Sequence, residues 1–518
     1  MGSSGFLVLL QAKRETPAKL PGQIQMSPGD KVLQSSVPRL QTVLARVCCS
    51  VEEAEPSSLN GDITPAAKMS KEQLKEKLDA LQCHFTWKMG ASSFNPPHIL
   101  QKLDVEIKHT AHQNQVALLG LQAYLHQLNN QSTEALRSLR AAEEYNREEE
   151  QPASTAGSLI IYGNYAWIYY LQASYQEAES CLERIQQLCP TPWDVRLIPH
   201  IQAQKGWSLL AIRARNGERA RECFNVALML EPENRSFRTG LGMALYSSWI
   251  FFRQPDIASE AIIQVERIVH EQPNDYKAKI YLARLLEQLD RERSIGLIEE
   301  CSEKSSDPEV LKSSALFWMP QSTERAVEIL QRALQQDPGY HLLYQALAKC
   351  YKQQWLEAKQ EDKNNILDAA IKDLQQIIQK HPDLDLTLVK LQLAEFIGER
   401  DPAQEEEMYK ELQEKIDTLS LRCRQALNLH WGKFFLYRKR SLDMAKAKFM
   451  DGYSITVQTN QRRECGSRLR KMAQLYQRAG DAAATEAILR FLKEANWHLP
   501  TEFAALGLDD ESLIPIRE

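Results

Sequence analysis

The 518-residue sequence is poor in the two residues that most often interrupt helices, with only 21 glycines and 22 prolines. That scarcity, beside abundant Leu, Ala, Gln, Glu and Lys, favours helix over sheet. Long apolar runs are missing as well. No stretch approaches the roughly 18 consecutive apolar residues that a membrane span requires. The run Phe6–Leu10 lacks a basic flank and is too short for a signal-peptide core. No strong excess of one charge exists either: the formal net charge is −5, so any polyanion site must be local. The ten cysteines are scattered without a CxxC pair, which fits reduced, buried thiols rather than a disulfide framework.

Catalytic signatures are absent too. There is no HExxH, GxSxG or Walker loop, and no Cys–His pairing with recognisable spacing, so neither an enzyme nor a cofactor is expected. Gly240-Leu241-Gly242 has no strand before it, and Leu245 stands where a third glycine belongs. Close helix packing explains it better than a nucleotide loop. His109 and His112 share one helix face but have no third ligand nearby, so a solvated face is expected and not a metal site.

What is present is a repeat. Ala178/Pro190, Ala220/Pro232, Ala261/Pro273, Ala326/Pro338 and Ala370/Pro382 are each separated by 12 positions. Four residues after each alanine lies Leu182, Phe224, Val265, Leu330 or Leu374; seven after it lies Ile185, Ala227, Ile268, Ala333 or Ile377. These offsets describe the buried stripe of a helix and its stop. The alanine is small where a neighbouring helix approaches, and the proline has no amide hydrogen to continue the helix. The same register without the proline recurs at Ala135/Leu139/Ala142 and Ala445/Phe449/Gly452. This is the second helix of a tetratricopeptide unit, so the fold expected is an all-α superhelix (α-solenoid) of helix-turn-helix units. Successive alanines lie 42 (178 to 220), 41 (220 to 261) and 44 (326 to 370) apart, beyond the roughly 34 of the ideal unit, which predicts longer connections.

Composition divides the chain further. Residues 1–68 are rich in Ser, Pro and Gln and read as a disordered extension, with Met69 as a candidate functional start. Tetratricopeptide repeats are expected at 69–352, a polar connection and possible hinge at 353–366, basic repeats at 367–499 and a tail at 500–518. Twelve basic residues lie between Lys433 and Arg478 against Asp443, Asp451 and Glu464, a local net of +9. Trp431, Phe434, Phe435, Tyr437 and Tyr453 are interleaved with them. Counter-charges for phosphates beside stacking surfaces for bases are what RNA binding needs. A basic outer face that aids solubility or meets an acidic protein is the alternative.

Several segments resemble the interferon-induced proteins with tetratricopeptide repeats. They are CHFTW (83–87), AYLHQL (123–128), YGNYAWIYY (162–170), KGWSLL (205–210), ERARECFNVALMLEPEN (218–234), LYQALAKCYK (343–352) and LHWGKFFLYRKR (429–440). The likeness is collinear over roughly 69 to 518, and the tail GLDDESLIPIRE (507–518) brings the pattern nearest to the second and third members. The resemblance implies a cytosolic, interferon-induced antiviral protein that binds RNA, oligomerises with itself or other family members, or scaffolds signalling or translation proteins. A pure protein adaptor without RNA binding is the competing reading. Trp207 matches the tryptophan that stacks on cap guanine in some members, and Lys102 a phosphate-facing position. Around them Ala211, Gly217 and Ser247 replace residues of the RNA-end binders. In the segment containing Glu309, Lys312, Ser313 and Met319, only Lys312 keeps the charge. The candidate RNA-contacting residues are therefore Lys102, Trp207, Lys312, Lys433, Tyr437, Arg438, Lys439, Arg440, Arg462 and Arg463.

Overall fold

The computed structural model describes residues 69–90, 96–109, 114–190, 195–212, 216–252, 254–457 and 459–497, without the side chains of 496 and 497. The expected extension at 1–68, the tail at 500–518 and His112 lie outside the described residues. Among those described, all regular structure is helical. Helices α1 (Lys71–Asp79) and α2 (Pro96–His109) precede a series of helix pairs. These are α3 (Gln115–Leu128) with α4 (Ser132–Asn146), α5 (Ala153–Leu171) with α6 (Tyr175–Leu188), and α7 (Ile198–Ile212) with α8 (Gly217–Leu230). Next come α9 (Arg235–Phe252) with α10 (Pro255–Glu271), α11 (Tyr276–Leu286) with α12 (Arg291–Lys304), and α13 (Pro308–Trp318) with α14 (Thr323–Gln336). The series continues with α15 (His341–Glu357) and α16 (Lys363–Lys380), then α17 (Thr387–Gly398) and α18 (Pro402–Glu414). It ends with α19 (Leu421–Tyr437) and α20 (Leu442–Ser454), and α21 (Asn460–Arg478) and α22 (Ala482–Trp497).

The repeat register holds. Ala135, Ala178, Ala220, Ala261, Ala326, Ala370 and Ala445 are all buried on second helices. Two further pairs carry the stripe without the alanine. In α12 buried Ser294 takes its place, with Ile298 and Cys301 at the following offsets, and its hydroxyl donates to the Ala283 carbonyl at 2.7 Å. In α18 the place belongs to buried Glu405, followed by Tyr409 and Leu412. Close approach explains the glycines of the first helices. A Cβ on Gly206 or Gly240 would lie 2.8 or 2.2 Å from the ring of Phe224, so α7 and α9 both close onto that one side chain of α8. Gly240-Leu241-Gly242 is thus a packing element, as its setting implied.

The expected long connections are only partly found. Between Ala220 and Ala261 the extra length is helix: α9 has 18 residues, and only four residues, 231–234, separate it from α8. The 17-residue α15 plays the same part between Ala326 and Ala370. Of the three intervals, that from Ala178 to Ala220 has the longer link, between Leu188 of α6 and Ile198 of α7. The polar segment 353–366 is mostly helical for the same reason, because α15 runs to Glu357 and α16 begins at Lys363. What joins them is 358–362. Turns within pairs use left-handed residues: Asn130 (φ 58°), Ala173 (φ 61°), Arg440 (φ 53°) and Gly480 (φ 79°). First helices touch the first helices of the next pair throughout α9–α11–α13–α15–α17–α19–α21, making a continuous inner layer.

Three of the segments that resemble the antiviral family, CHFTW, YGNYAWIYY and KGWSLL, meet at one buried knot. His84 is 1 % exposed, and its Nε2 lies 2.9 Å from the Ser208 hydroxyl on α7. Its Nδ1 accepts from the Asn164 amide on α5 at 2.9 Å, and its backbone N–H donates to Asn164 Oδ1 at 3.2 Å. Gly120 on α3 leaves room for the ring, since a Cβ there would lie 2.7 Å from His84 Cε1. Burial pushes the imidazole down to about 3, with the Asn164 bond and the Ala117 carbonyl opposing it more weakly. The neutral ring therefore ties the CHFTW segment to three helices far along the chain. The array also keeps its thiols inert: burial pushes Cys83, Cys301, Cys350 and Cys465 up to about 12.

Candidate nucleic-acid interface

The candidate residues fall in two regions. In the first, α2 folds back against the turn between α14 and α15, 228 residues along the chain, where His109 Nδ1 lies 2.8 Å from Asp337 Oδ2. His109 also packs 5.2 Å from the Tyr340 ring. This corrects the expectation of a solvated histidine face, because sequence spacing carries no trace of so distant a contact. Lys312 projects from α13 into the same neighbourhood, but its charge is met: Nζ lies 2.7 Å from Glu309 Oε2. The Tyr340 hydroxyl donates to that carboxylate as well. Burial would raise Glu309, yet Lys312 and the Tyr340 bond outweigh it and hold the group below the ordinary carboxylate range. Lys102 is half-buried on α2 and engaged within the fold. Trp207 is 9 % exposed and meets the Phe224 ring edge-on at 5.1 Å. That contact commits the indole to the packing of α7 on α8.

The second region is the basic stretch at the end of the array, and here folding redistributes the charge. Arg438 reaches Glu399 at 2.5 Å and Glu405 at 3.6 Å. Lys439 pairs with Glu406 at 2.9 Å while resting over the Phe434 ring. These carboxylates come from α17–α18, the preceding pair, and lie outside the local count that gave +9. Lys433 meets Glu464 at 3.2 Å, and Arg468 meets the same carboxylate at 2.9 Å. Arg468 also donates to the hydroxyl of Tyr437, an aromatic that is 58 % exposed. Lys448 lies 4.2 Å over the Trp431 ring.

Arg462 is 3 % exposed, with Nε donating to the Tyr453 carbonyl at 2.9 Å and Nη2 to Ala495 at 3.3 Å. It anchors α21 to α20 and α22 from inside. Arg463, one position on, is exposed and bonded to Asn460. Spacing along α21 puts Arg463, Arg470, Lys471 and Arg478 on one exposed face, and no carboxylate among the described residues pairs with the last three. Arg440 is also exposed, at a left-handed turn. Sequence reasoning passed over Arg470, Lys471 and Arg478 individually, although helical spacing was enough to group them.

Paired helices packed in series, with alanines at the crossings and a continuous first-helix layer, define a tetratricopeptide-repeat solenoid. None of its described helices is long and apolar enough to cross a membrane. No family model matches the chain. Curated relatives do. Antiviral innate immune response effector IFIT1 of Homo sapiens is 27 % identical over 388 residues, 71 % of this chain and 81 % of the relative. Interferon-induced protein with tetratricopeptide repeats 2 of Homo sapiens is 25 % identical over 471 residues, 86 % of this chain and 98 % of the relative. A solved human IFIT1 dimer with m7Gppp-AAAA superposes with a TM-score of 0.52 at 25 % identity, over 83 % of this chain and 98 % of that one. Over most of its length the chain is similar to interferon-induced proteins with tetratricopeptide repeats. First and second members match at comparable identity, so the common ground is the family rather than one branch of it.

Proposed function

We propose that this protein is an interferon-induced innate antiviral protein of the cytosol. It acts without catalysis, holding RNA in a sequence-tolerant way on its last repeats and assembling with copies of itself or other family members. Two kinds of support converge. Its relatives include a named antiviral effector, and the solved relative is a dimer with capped RNA. The observation in this chain that carries the RNA reading is the exposed face of α21, where Arg470, Lys471 and Arg478, which have no carboxylate partner among the described residues, lie beside Arg463. Exposed cations on one helix face can each meet a backbone phosphate and release counterions, which is a sequence-independent attraction. Tyr437, Arg438, Lys439 and Arg440 extend this surface toward α19, although Arg438 and Lys439 must first leave their carboxylates. Lys312, half-enclosed with Glu309, and buried Trp207 give weaker support for a 5′-end pocket.

The test reverses Arg463, Arg470, Lys471 and Arg478 to glutamate together and measures retention of a single-stranded RNA over a salt series. Four lost phosphate contacts flatten the slope of log affinity against log salt by about 3, at roughly 0.7 per contact. Unchanged retention with an unchanged slope rules out this surface. RNA-free protein captured with a protein partner instead returns the function to the adaptor reading.

A further inference from the structure

The inner layer of first helices carries a ladder of alternating charge across its last four members. Lys352 on α15 pairs with Glu395 on α17. Glu395 Oε1 also lies 2.8 Å from His430 Nδ1 on α19. One turn along α19, Lys433 reaches Glu464 on α21 at 3.2 Å, and Arg468 closes the series on Glu464 at 2.9 Å. Glu395 thus sits between Lys352 and His430, and Glu464 between Lys433 and Arg468. Burial alone would raise both carboxyls, but the cations beside them prevail. His430, Lys352 and Lys433 hold Glu395 well below the usual carboxylate range, and Lys433 and Arg468 lower Glu464. The rungs are half-buried and not sealed: the Lys352, Lys433 and Arg468 side chains are 34 %, 22 % and 25 % exposed.

A carboxylate and a phosphate oxygen compete for the same donors in the same geometry. We infer that Glu395 and Glu464 are specificity-determining residues that occupy the cations of the first-helix ladder in place of RNA phosphates, so that Lys352, Lys433 and Arg468 reject a polyanion that the exposed cations of α21 accept. The inference rests on the RNA reading above and deepens it. The ladder puts a threshold on these cations: a strand must displace two intramolecular carboxylates before it gains three phosphate contacts. Isolated exposed pairs contribute little by comparison, since solvent screens them.

The experiment compares E395Q/E464Q with wild type for binding of a single-stranded oligoribonucleotide between 50 and 200 mM salt. Both amides keep the size of the side chain and remove its charge. E464Q alone is measured in parallel, because Glu464 is 40 % exposed and its replacement is tolerated even if the double variant unfolds. The control is D79N/E134Q, which removes two carboxylates from the exposed pairs with Lys75 and Arg137 and changes net charge equally. Three freed contacts steepen the salt slope by about 2, so the gain over wild type is about 20-fold larger at 50 than at 200 mM salt. E464Q, which frees Lys433 and Arg468, shows a smaller gain in the same direction. An equal gain in the control, or no gain in either ladder variant while wild type binds RNA, overturns the inference and leaves the RNA reading standing. Absence of binding in wild type and ladder variants alike overturns both.

Discussion

Acidification from pH 6.5 to 4.5 should loosen the N-terminal repeats through His84. The ring is enclosed by α3, α5 and α7, accepts one side-chain hydrogen bond from Asn164 and lies 2.9 Å from the Ser208 hydroxyl. Burial lowers it from 6.5 to about 3. A base whose folded value is depressed contributes stability that is complete above its unfolded value, here 6.5. That stability is lost progressively as pH falls toward 3, because the unfolded chain takes up the proton first. One proton corresponds to about 1.4 kcal/mol per pH unit once the unfolded chain is fully protonated, so about 2.3 kcal/mol disappears between pH 6.5 and 4.5. Repeat arrays open locally, so the assay is hydrogen exchange of peptides from α3, α5 and α7, corrected for the intrinsic pH dependence of exchange. The comparison is with H84Q, which keeps a neutral polar side chain and cannot titrate. Wild type should lose protection relative to H84Q as pH falls, with the difference confined to these helices. Parallel pH profiles for the two proteins would refute the reasoning.

Two further outcomes follow from the packing. Burial raises Glu405 to about 7, with the Tyr409 bond and Arg438 opposing it. An acid raised in the fold contributes stability that is complete below its unfolded value of 4.5 and lost as pH rises through 7. E405Q should therefore be more stable than wild type at pH 8 by about 1–2 kcal/mol, after allowance for solvent screening, and show no gain at pH 4.5. Denaturant melts of the C-terminal repeats decide it, and a variant weaker than wild type at pH 8 contradicts the assignment. Gly240→Val would bring a Cβ to 2.2 Å from Phe224, whose other side is already pressed on Gly206. Overpacking there costs about 1–3 kcal/mol. Faster protease cleavage within α7–α9 is the readout, and unchanged cleavage would show that the ring has room to move.

The repeat was legible because its signal is local. An alanine at a helix crossing, an apolar residue one turn on and a terminating proline all lie within 12 positions, and each answers to packing against a sequence neighbour. Where the crossing is made differently, the signal vanished. Ser294 satisfies its hydroxyl on the Ala283 carbonyl, and Glu405 accepts from the Tyr409 hydroxyl at 2.9 Å, so polar residues fill an alanine position that a hydrophobic pattern cannot predict. Segments such as CHFTW and YGNYAWIYY were recognised by resemblance, but their reason is a hydrogen-bond knot joining residues 80 and 124 positions apart. The fold-back of His109 onto Asp337 is longer still. Neither distance leaves a periodic mark.

The basic stretch shows how far a one-dimensional count of charge can mislead in a solenoid. Within residues 433–478 only three acids oppose twelve bases. Packing adds neighbours about one repeat earlier: Glu395, Glu399, Glu405 and Glu406 face His430, Arg438 and Lys439. The relevant unit of charge is therefore the pair of adjacent repeats, not the segment. Every interior repeat has such a neighbour on each side. The last first helix has a neighbouring first helix on one side only, and there Arg470, Lys471 and Arg478 remain exposed. The stacking of repeats thus neutralises the cations it encloses and leaves those at the end of the described array to meet phosphate. If that is the rule, grafting a pair of acids onto the exposed face of α21, at Gln474 and Gln477, should abolish RNA retention as fully as reversing the cations themselves. Retention that survives Q474E/Q477E would mean the strand is held elsewhere.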